Sequence, residues 1–370
     1  MNCIIPIACG ALLYTSVIAG YTGLFCPLLP LLFISNRLYR YVTDTIFSFW
    51  QLYPAALVEI VCRTKVEVYG DLITAGKNNV LFMNHRTRVE CVYIWAAMFH
   101  CTKGPGKYNY PVRFLLKDIL RHLPGPGWIT QLMCFLYLKR EWNWDEKNLN
   151  KMISYFCDMS YKTSLFLFPE GAIFRPESMK ASNKYAEKNN LPKYDCVMHP
   201  KTTGFAYIIN YLVSRDSLDA VYDVTSVYPD CIPQTEFMLL SGDVPKKTIF
   251  FIKKYSRSEL PTTEQGLRSF LENCWAEKEN AIKKFYYERQ LPEGKLHRRF
   301  NWQILYVALV FWTLVPFIIL YYVYSSKWFR FLILLQTIFM LILNYVCGYG
   351  FQEFEVNIFL LKKRIFGRGF

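Results

Sequence analysis

Residues 80–90 read Val80-Leu81-Phe82-Met83-Asn84-His85-Arg86-Thr87-Arg88-Val89-Glu90. The first four are apolar and continuous, the pattern of a strand buried on both faces. From the polar junction a helix is expected to run on through Cys91 to Phe99. A histidine thus stands at a strand end with a carboxylate five positions later. An irregular first turn lets Glu90 reach one imidazole nitrogen, fix the tautomer and leave the other nitrogen to take a proton. The same residues also suit a histidine that caps a helix with Glu90 on a solvated face, and one motif alone does not choose between them.

Outward from this stretch, residues 63–300 have ordinary globular character. The alternation Val66-Glu67-Val68-Tyr69-Gly70 and the run 164–168 predict further strands, with helical patterns between them. Alternating strands and helices imply an α/β fold, a mixed, largely parallel sheet with surrounding helices. The Pro/Gly cluster 123–127 is a loop ahead of the apolar run 128–138, and Phe135-Leu136-Tyr137-Leu138 is a strand ending in Lys139-Arg140. The polar stretch 177–193 is a helical excursion with a solvated face.

The flanks are different. Residues 1–36 carry no charged side chain, and the apolar core 4–34 exceeds the ~20 residues that cross a bilayer. Without a basic leader it reads as an uncleaved anchor, bent or ended by Pro27 and Pro30 and followed by Arg37 and Arg40. Residues 41–62 are aromatic but hold Asp44 and Glu59, either an imperfect second span or an interfacial helix. Runs 302–324 and 331–350 are apolar and joined by residues 325–330, a helical hairpin with both ends on the cytosolic side, because Arg298 and Arg299 precede it and Lys362, Lys363, Arg364 and Arg368 follow. The division expected is therefore an anchor and interfacial segment (1–62), a catalytic domain (63–300), a transmembrane hairpin (301–350) and a basic tail (351–370).

Composition agrees. Of 370 residues 53% are hydrophobic, and 43 Lys and Arg against 29 Asp and Glu leave a net charge of +14. That excess suits an anionic membrane surface or a phosphate-bearing substrate. Nucleic acid would satisfy the charge equally, but the apolar segments argue against it. The twelve cysteines form no C-x-x-C pair and no zinc-spaced cluster, so they read as reduced, mostly buried residues. Cys91 is read as buried and inert.

Three more constellations carry chemistry. Leu167-Phe168-Pro169-Glu170-Gly171 turns at a strand end, where open α/β sheets bind ligands. Arg140 can aim a guanidinium at a phosphate. Val197-Met198-His199-Pro200-Lys201-Thr202-Thr203-Gly204 is a bounded loop with a cation and two hydroxyls. Each also has a plain reading as a turn, a surface arginine or a connection.

Their order, Asn84-His85-x4-acid, a strand ending in Arg140, Phe168-Pro169-Glu170-Gly171, then His199-Pro200, resembles the four motif blocks of the glycerophospholipid (1-acylglycerol-3-phosphate) acyltransferases. Asn84 to Arg88, Tyr185 to Asn189 and His199 to Phe205 are similar to the lysocardiolipin and lysophosphatidylinositol acyltransferase branch. The resemblance implies transfer of an acyl group from acyl-CoA, a co-substrate, to a free hydroxyl of a lysophospholipid at the cytosolic face of the endoplasmic reticulum. It implies His85 as general base and Glu90 as its orienting partner, with no resident cofactor, metal or covalent acyl-enzyme. Asn84 or backbone amides would stabilise the oxyanion. Arg140, Glu170 and Gly171 would position the acceptor, and the basic residues around the site, Arg88, Lys117, Arg175 and Lys201 beside Pro200, favour an anionic one. Lysophosphatidylinositol or lysocardiolipin ranks first and lysophosphatidic acid second. The chain departs from the family at Glu90, where Asp is usual, and at Ala172-Ile173, where Thr-Arg is usual, and Cys134 opens the second block. These departures keep a silent lipid-binding scaffold open as an alternative. A hydrolase or thioesterase finds no G-x-S-x-G elbow and no H-E-x-x-H helix.

Overall fold

A computed structural model describes residues 4–291, 293–299 and 301–367. Among them ten strands follow in chain order: β1 (Lys65–Gly70), β2 (Ile73–Thr74), β3 (Asn79–Met83), β4 (Thr102–Lys103), β5 (Val112–Lys117), β6 (Leu136–Leu138), β7 (Ser164–Leu167), β8 (Ala220–Val227), β9 (Lys247–Ser256) and β10 (Leu296–His297). The chain forms two compact units, each discontinuous in sequence. One takes residues 4–9, 54–108 and 163–302, the other 10–53, 109–162 and 303–367.

In the first unit the strand order is β10-β1-β9-β8-β3-β7. β3 runs parallel to both neighbours, with Leu81 opposite Phe166 of β7 and Tyr222 of β8. β1 and β9 are also parallel, whereas β8–β9 and β1–β10 are antiparallel. The sheet is therefore mixed and largely parallel, as the alternation of elements predicts. β3 and β8 are buried along their whole length, and within β3 residues 80–83 read as an unbroken apolar run for that reason. Helices Thr202–Ser214 and Glu264–Lys283 cover one face. Phe82 meets Phe205 at 5.4 Å and stacks on Trp275 at 5.7 Å, and Trp275 is fully buried. Because β7, β3 and β8 are parallel, their carboxyl ends open on one edge.

The second unit pairs β5 and β6 in parallel and contains most of the apolar helices. Among the described residues three segments are long and apolar enough to cross a bilayer: Ile4–Ile34, Trp302–Ser325 and Lys327–Val346. They make this a membrane protein. In the first, the helix Ile4–Gly20 loosens at residues 21–28, around Pro27, and resumes at Leu29–Ile34. The hairpin turn is tighter than the charge pattern suggests. Ser326 alone separates the helices, its hydroxyl accepting from Phe329 N–H at 3.2 Å, and Lys327 and Arg330 lie inside the second helix. Arg330 turns back to the carbonyls of Val323 and Tyr324 at 2.8 and 2.9 Å, so this cation of the expected connector caps the first helix.

Residues 41–62 are mostly helical. They belong to the helix Asn36–Ala56 and a wider turn after it, and Arg40 and Asp44 are buried. Arg40 Nε lies 2.6 Å from Glu355 Oε1, and its Nη2 reaches Glu355 Oε2 and the Leu132 carbonyl at 2.7 Å. Tyr155 donates to the same carboxylate at 2.6 Å. Asp44 accepts from Arg113 at 2.5 Å and from Tyr161 at 2.8 Å. Glu355 comes from the helix Phe351–Phe366, so the segment expected as a basic tail is a packed helix with one face buried; Arg368 lies outside the described residues. Removing one partner of a buried pair strands the other charge, so Arg40→Ala is expected to destabilise by about 3–5 kcal/mol, whereas Arg40→Met with Glu355→Met costs much less. Thermal unfolding in detergent compares the two.

Candidate active site

The helix after β3 begins at Glu90, several residues later than the apolar pattern suggests, and residues 84–89 are an irregular turn. Asn84 is buried, and its side chain pairs with β8: its amide donates to the Ser226 carbonyl at 3.3 Å and its oxygen accepts from Ser226 N–H at 3.0 Å. This two-way bond engages the amide that the resemblance offers, as an alternative to backbone amides, for an oxyanion. Asn84 is a clamp between strand ends, and it fixes where His85 emerges.

His85 Nδ1 lies 3.1 Å from Glu90 Oε2, and its side chain keeps 21% exposure while that of Glu90 has none. The Arg86 amide donates to the same oxygen at 3.1 Å. On the other oxygen converge the Ser226 hydroxyl and the Tyr228 hydroxyl, the latter at 3.3 Å. A buried carboxylate surrounded by donors is held in one orientation. As an acceptor facing Nδ1, it favours the tautomer that carries its hydrogen there and leaves Nε2 as the free ring nitrogen. The ring also stacks on Phe168 at 4.2 Å, which blocks rotation.

The turn after β7 locks against this one. Phe174 N–H donates to the His85 carbonyl at 2.9 Å, and Lys201 N–H to the Pro169 carbonyl at 2.8 Å. Gly171 has φ +68°, and a Cβ there would stand 3.3 Å from the Lys201 side chain, so the cation lies over the glycine. The Glu170 carboxyl points inward instead of toward a ligand: it is buried and accepts from the Trp275 indole at 3.2 Å. Burial pushes it up to about 8, against the Trp275 and His85 N–H groups that favour its charged form.

Of the remaining expected residues, Pro200 is buried and exposed Lys201 precedes the helix Thr202–Ser214. Arg175 is exposed at the start of the helix Pro176–Lys188. Arg88 is exposed and paired with Glu236 at 2.8 Å. Lys117, at the end of β5, and Arg140, after β6 with φ +69°, are exposed residues of the second unit. His199 braces its loop through the Pro192 carbonyl and a stack on Tyr194. Cys91 is exposed, not buried. Among the described residues no group of three or more His, Cys, Asp or Glu is placed to hold a metal ion.

Two family models match the chain, Acyltransferase over residues 65–227 and Acyltransferase C-terminus over residues 238–312. Lysocardiolipin acyltransferase 1 of Gallus gallus is 35% identical over 317 residues, covering 82% of each chain. The chain belongs to the glycerophospholipid acyltransferase family. Lysophosphatidylinositol acyltransferase 10 of Caenorhabditis elegans is 30% identical over 79% of this chain and 78% of its own. The crystal structure of the 1-acyl-sn-glycerophosphate acyltransferase PlsC of Thermotoga maritima shares the fold, with a TM-score of 0.50 at 13% identity over 79% of this chain and 98% of that one.

In this acyltransferase, sequence reasoning missed Ser226, Tyr228 and Trp275. Ser226 and Tyr228 are two apart at the end of β8, so the strand period sends both hydroxyls to one face. Lys278, one helical turn from Trp275, is buried on Asp223, the Val224 carbonyl and Thr225. Because native Glu170 titrates near 8 and an unfolded glutamate near 4.5, native protein binds the extra proton between those values and loses stability as pH rises through that window. Glu170→Gln is therefore expected to raise the unfolding temperature, relative to the parent, more at pH 8 than at pH 5. An equal shift at both pH values would mean that Glu170 is charged in the native state.

Proposed function

We propose that this acyltransferase moves an acyl group from acyl-CoA to the free glycerol hydroxyl of an anionic lysophospholipid. Lysophosphatidylinositol or lysocardiolipin is the first choice of acceptor and lysophosphatidic acid the second, at the cytosolic face of the endoplasmic reticulum membrane. The observation that carries this reading is the 3.1 Å contact between His85 Nδ1 and the buried Glu90 carboxylate. It supports His85 Nε2 as the base.

The acceptor hydroxyl oxygen attacks the thioester carbonyl as Nε2 removes its proton. The tetrahedral intermediate collapses with cleavage of the C–S bond, and the imidazolium returns the proton to the departing thiolate. Glu90 stabilises the imidazolium. No covalent enzyme intermediate is required, and neither is a metal or resident cofactor. Lys201, over Gly171, and Arg175 favour the acceptor phosphate. The names of the two relatives, one a lysocardiolipin and one a lysophosphatidylinositol acyltransferase, support the order of acceptors.

The test is acyl transfer by membranes carrying the full chain, with labelled oleoyl-CoA and lysophosphatidylinositol, monolysocardiolipin, lysophosphatidic acid and lysophosphatidylcholine. Diacyl product is expected from the anionic acceptors, with a loss of roughly 10²–10⁴ in His85→Ala and a smaller loss in Glu90→Gln. Free oleate without diacyl product would indicate a thioesterase, neither product a scaffold, and an undiminished rate in His85→Ala would remove the base.

A further inference from the structure

The chemistry at His85 uses none of the apolar side chains around the short turn Asp118–His122, in the second unit. Ile119 is 67% exposed, Leu120 37% and Leu123 50%. A single exposed leucine is ordinary, but three within five residues form a patch that calls for a partner.

The turn is rigidly built. Buried Arg121 meets Asp118 and the Gly348 carbonyl, each at 3.4 Å. Its own carbonyl accepts from Gln131 at 2.8 Å, and the same amide nitrogen donates to Asn344 at 2.7 Å while its oxygen accepts from Phe351 N–H at 2.7 Å. A Cβ on Gly127 would stand 2.4 Å from the Leu120 carbonyl oxygen, so the backbones touch. One fully buried glutamine thus fixes the turn to the end of the Lys327–Val346 span and to the start of the helix Phe351–Phe366.

The patch is continuous with two membrane segments. His122 packs against Tyr345 at 5.6 Å, and a Cβ on Gly125 would stand 3.2 Å from Ile18 of the Ile4–Ile34 segment. Ile18, Tyr345 and Val346 are themselves exposed. Exposed Lys117, Lys139 and Arg140 bracket the sequence, and the only acid between 117 and 140 is Asp118, paired with Arg121. An apolar tip flanked by cations matches an anionic leaflet: acyl chains below, headgroup charge above.

We propose that Ile119, Leu120 and Leu123 form a wedge that inserts among the acyl chains of an anionic leaflet beside the two membrane segments, with the flanking cations at headgroup level. The wedge holds the membrane independently of the reaction at His85.

The full chain is reconstituted in vesicles of phosphatidylcholine and phosphatidylserine that include a phosphatidylcholine with a diazirine on its acyl chain, and adducts are mapped after photolysis. Ile119, Leu120 and Leu123 are expected to label like Phe317 and Leu320 of the Trp302–Ser325 helix, and several-fold above Lys147 and Asn150 on the polar side of the helix Trp142–Asp158. Labelling no stronger than at Lys147 and Asn150, with Phe317 and Leu320 labelled, overturns the proposal; so does protection of the turn by a second copy of the chain. Ile119→Asp with Leu123→Asp is expected to abolish labelling of the turn alone, and persistence of that labelling is also contrary. If that variant does not fold, the parent map decides by itself. Replacing phosphatidylserine with phosphatidylcholine is expected to weaken labelling of the turn, and no change would contradict the anionic preference.

Discussion

One buried carboxylate sets the terms for the catalytic unit. Glu90 has no exposed side-chain surface, so its oxygens must be met by protein donors. Four groups converge on it: His85, the Arg86 amide, Ser226 and Tyr228. They come from the irregular turn after β3 and from the end of β8. Satisfying Glu90 therefore fixes the turn, the imidazole and the register of two strands together. The Asn84–Ser226 pair repeats the constraint one step back along the chain.

Parallel strands make this convergence possible. β7, β3 and β8 run the same way, so the Pro169-Glu170-Gly171 turn, His85 and Ser226 all leave the sheet at one edge. The links between turns are backbone bonds, from Phe174 to His85 and from Lys201 to Pro169. They hold the edge without consuming the imidazole face needed by a substrate. Behind it, the Trp275 indole and the Lys278–Asp223 pair fill the space beneath Phe82 and Glu170 with satisfied polar groups. The membrane unit applies the same rule in another setting, where Arg40, Arg113, Asp44 and Glu355 are buried in opposite-charge pairs.

What the sequence made legible follows from the range of each interaction. The strands at 80–83, 65–70 and 164–167, the polar helix after 176 and the apolar spans are written in local periodicity, and all are present. The His85–Glu90 contact spans five residues and was within reach of the same reasoning. Ser226 and Tyr228 lie more than 130 residues from Glu90, and no local pattern announces that pairing. From sequence the Asn84 amide reads alike whether it faces a substrate or a neighbouring strand, and its bond to Ser226 crosses 142 residues. The 351–366 helix looked like a tail because its basic end is conspicuous, while the single Glu355 that docks it is not.

The central claim is that His85 Nε2 removes the acceptor proton. The most direct measurement is a structure of the full chain with a non-hydrolysable acyl-CoA analogue and lysophosphatidylinositol. The account predicts the free glycerol hydroxyl within about 2.6–3.2 Å of His85 Nε2, directly or through one water, with the Nδ1 contact to Glu90 retained. A hydroxyl bound beyond that reach, or an imidazole turned away from Glu90 in the complex, would contradict it.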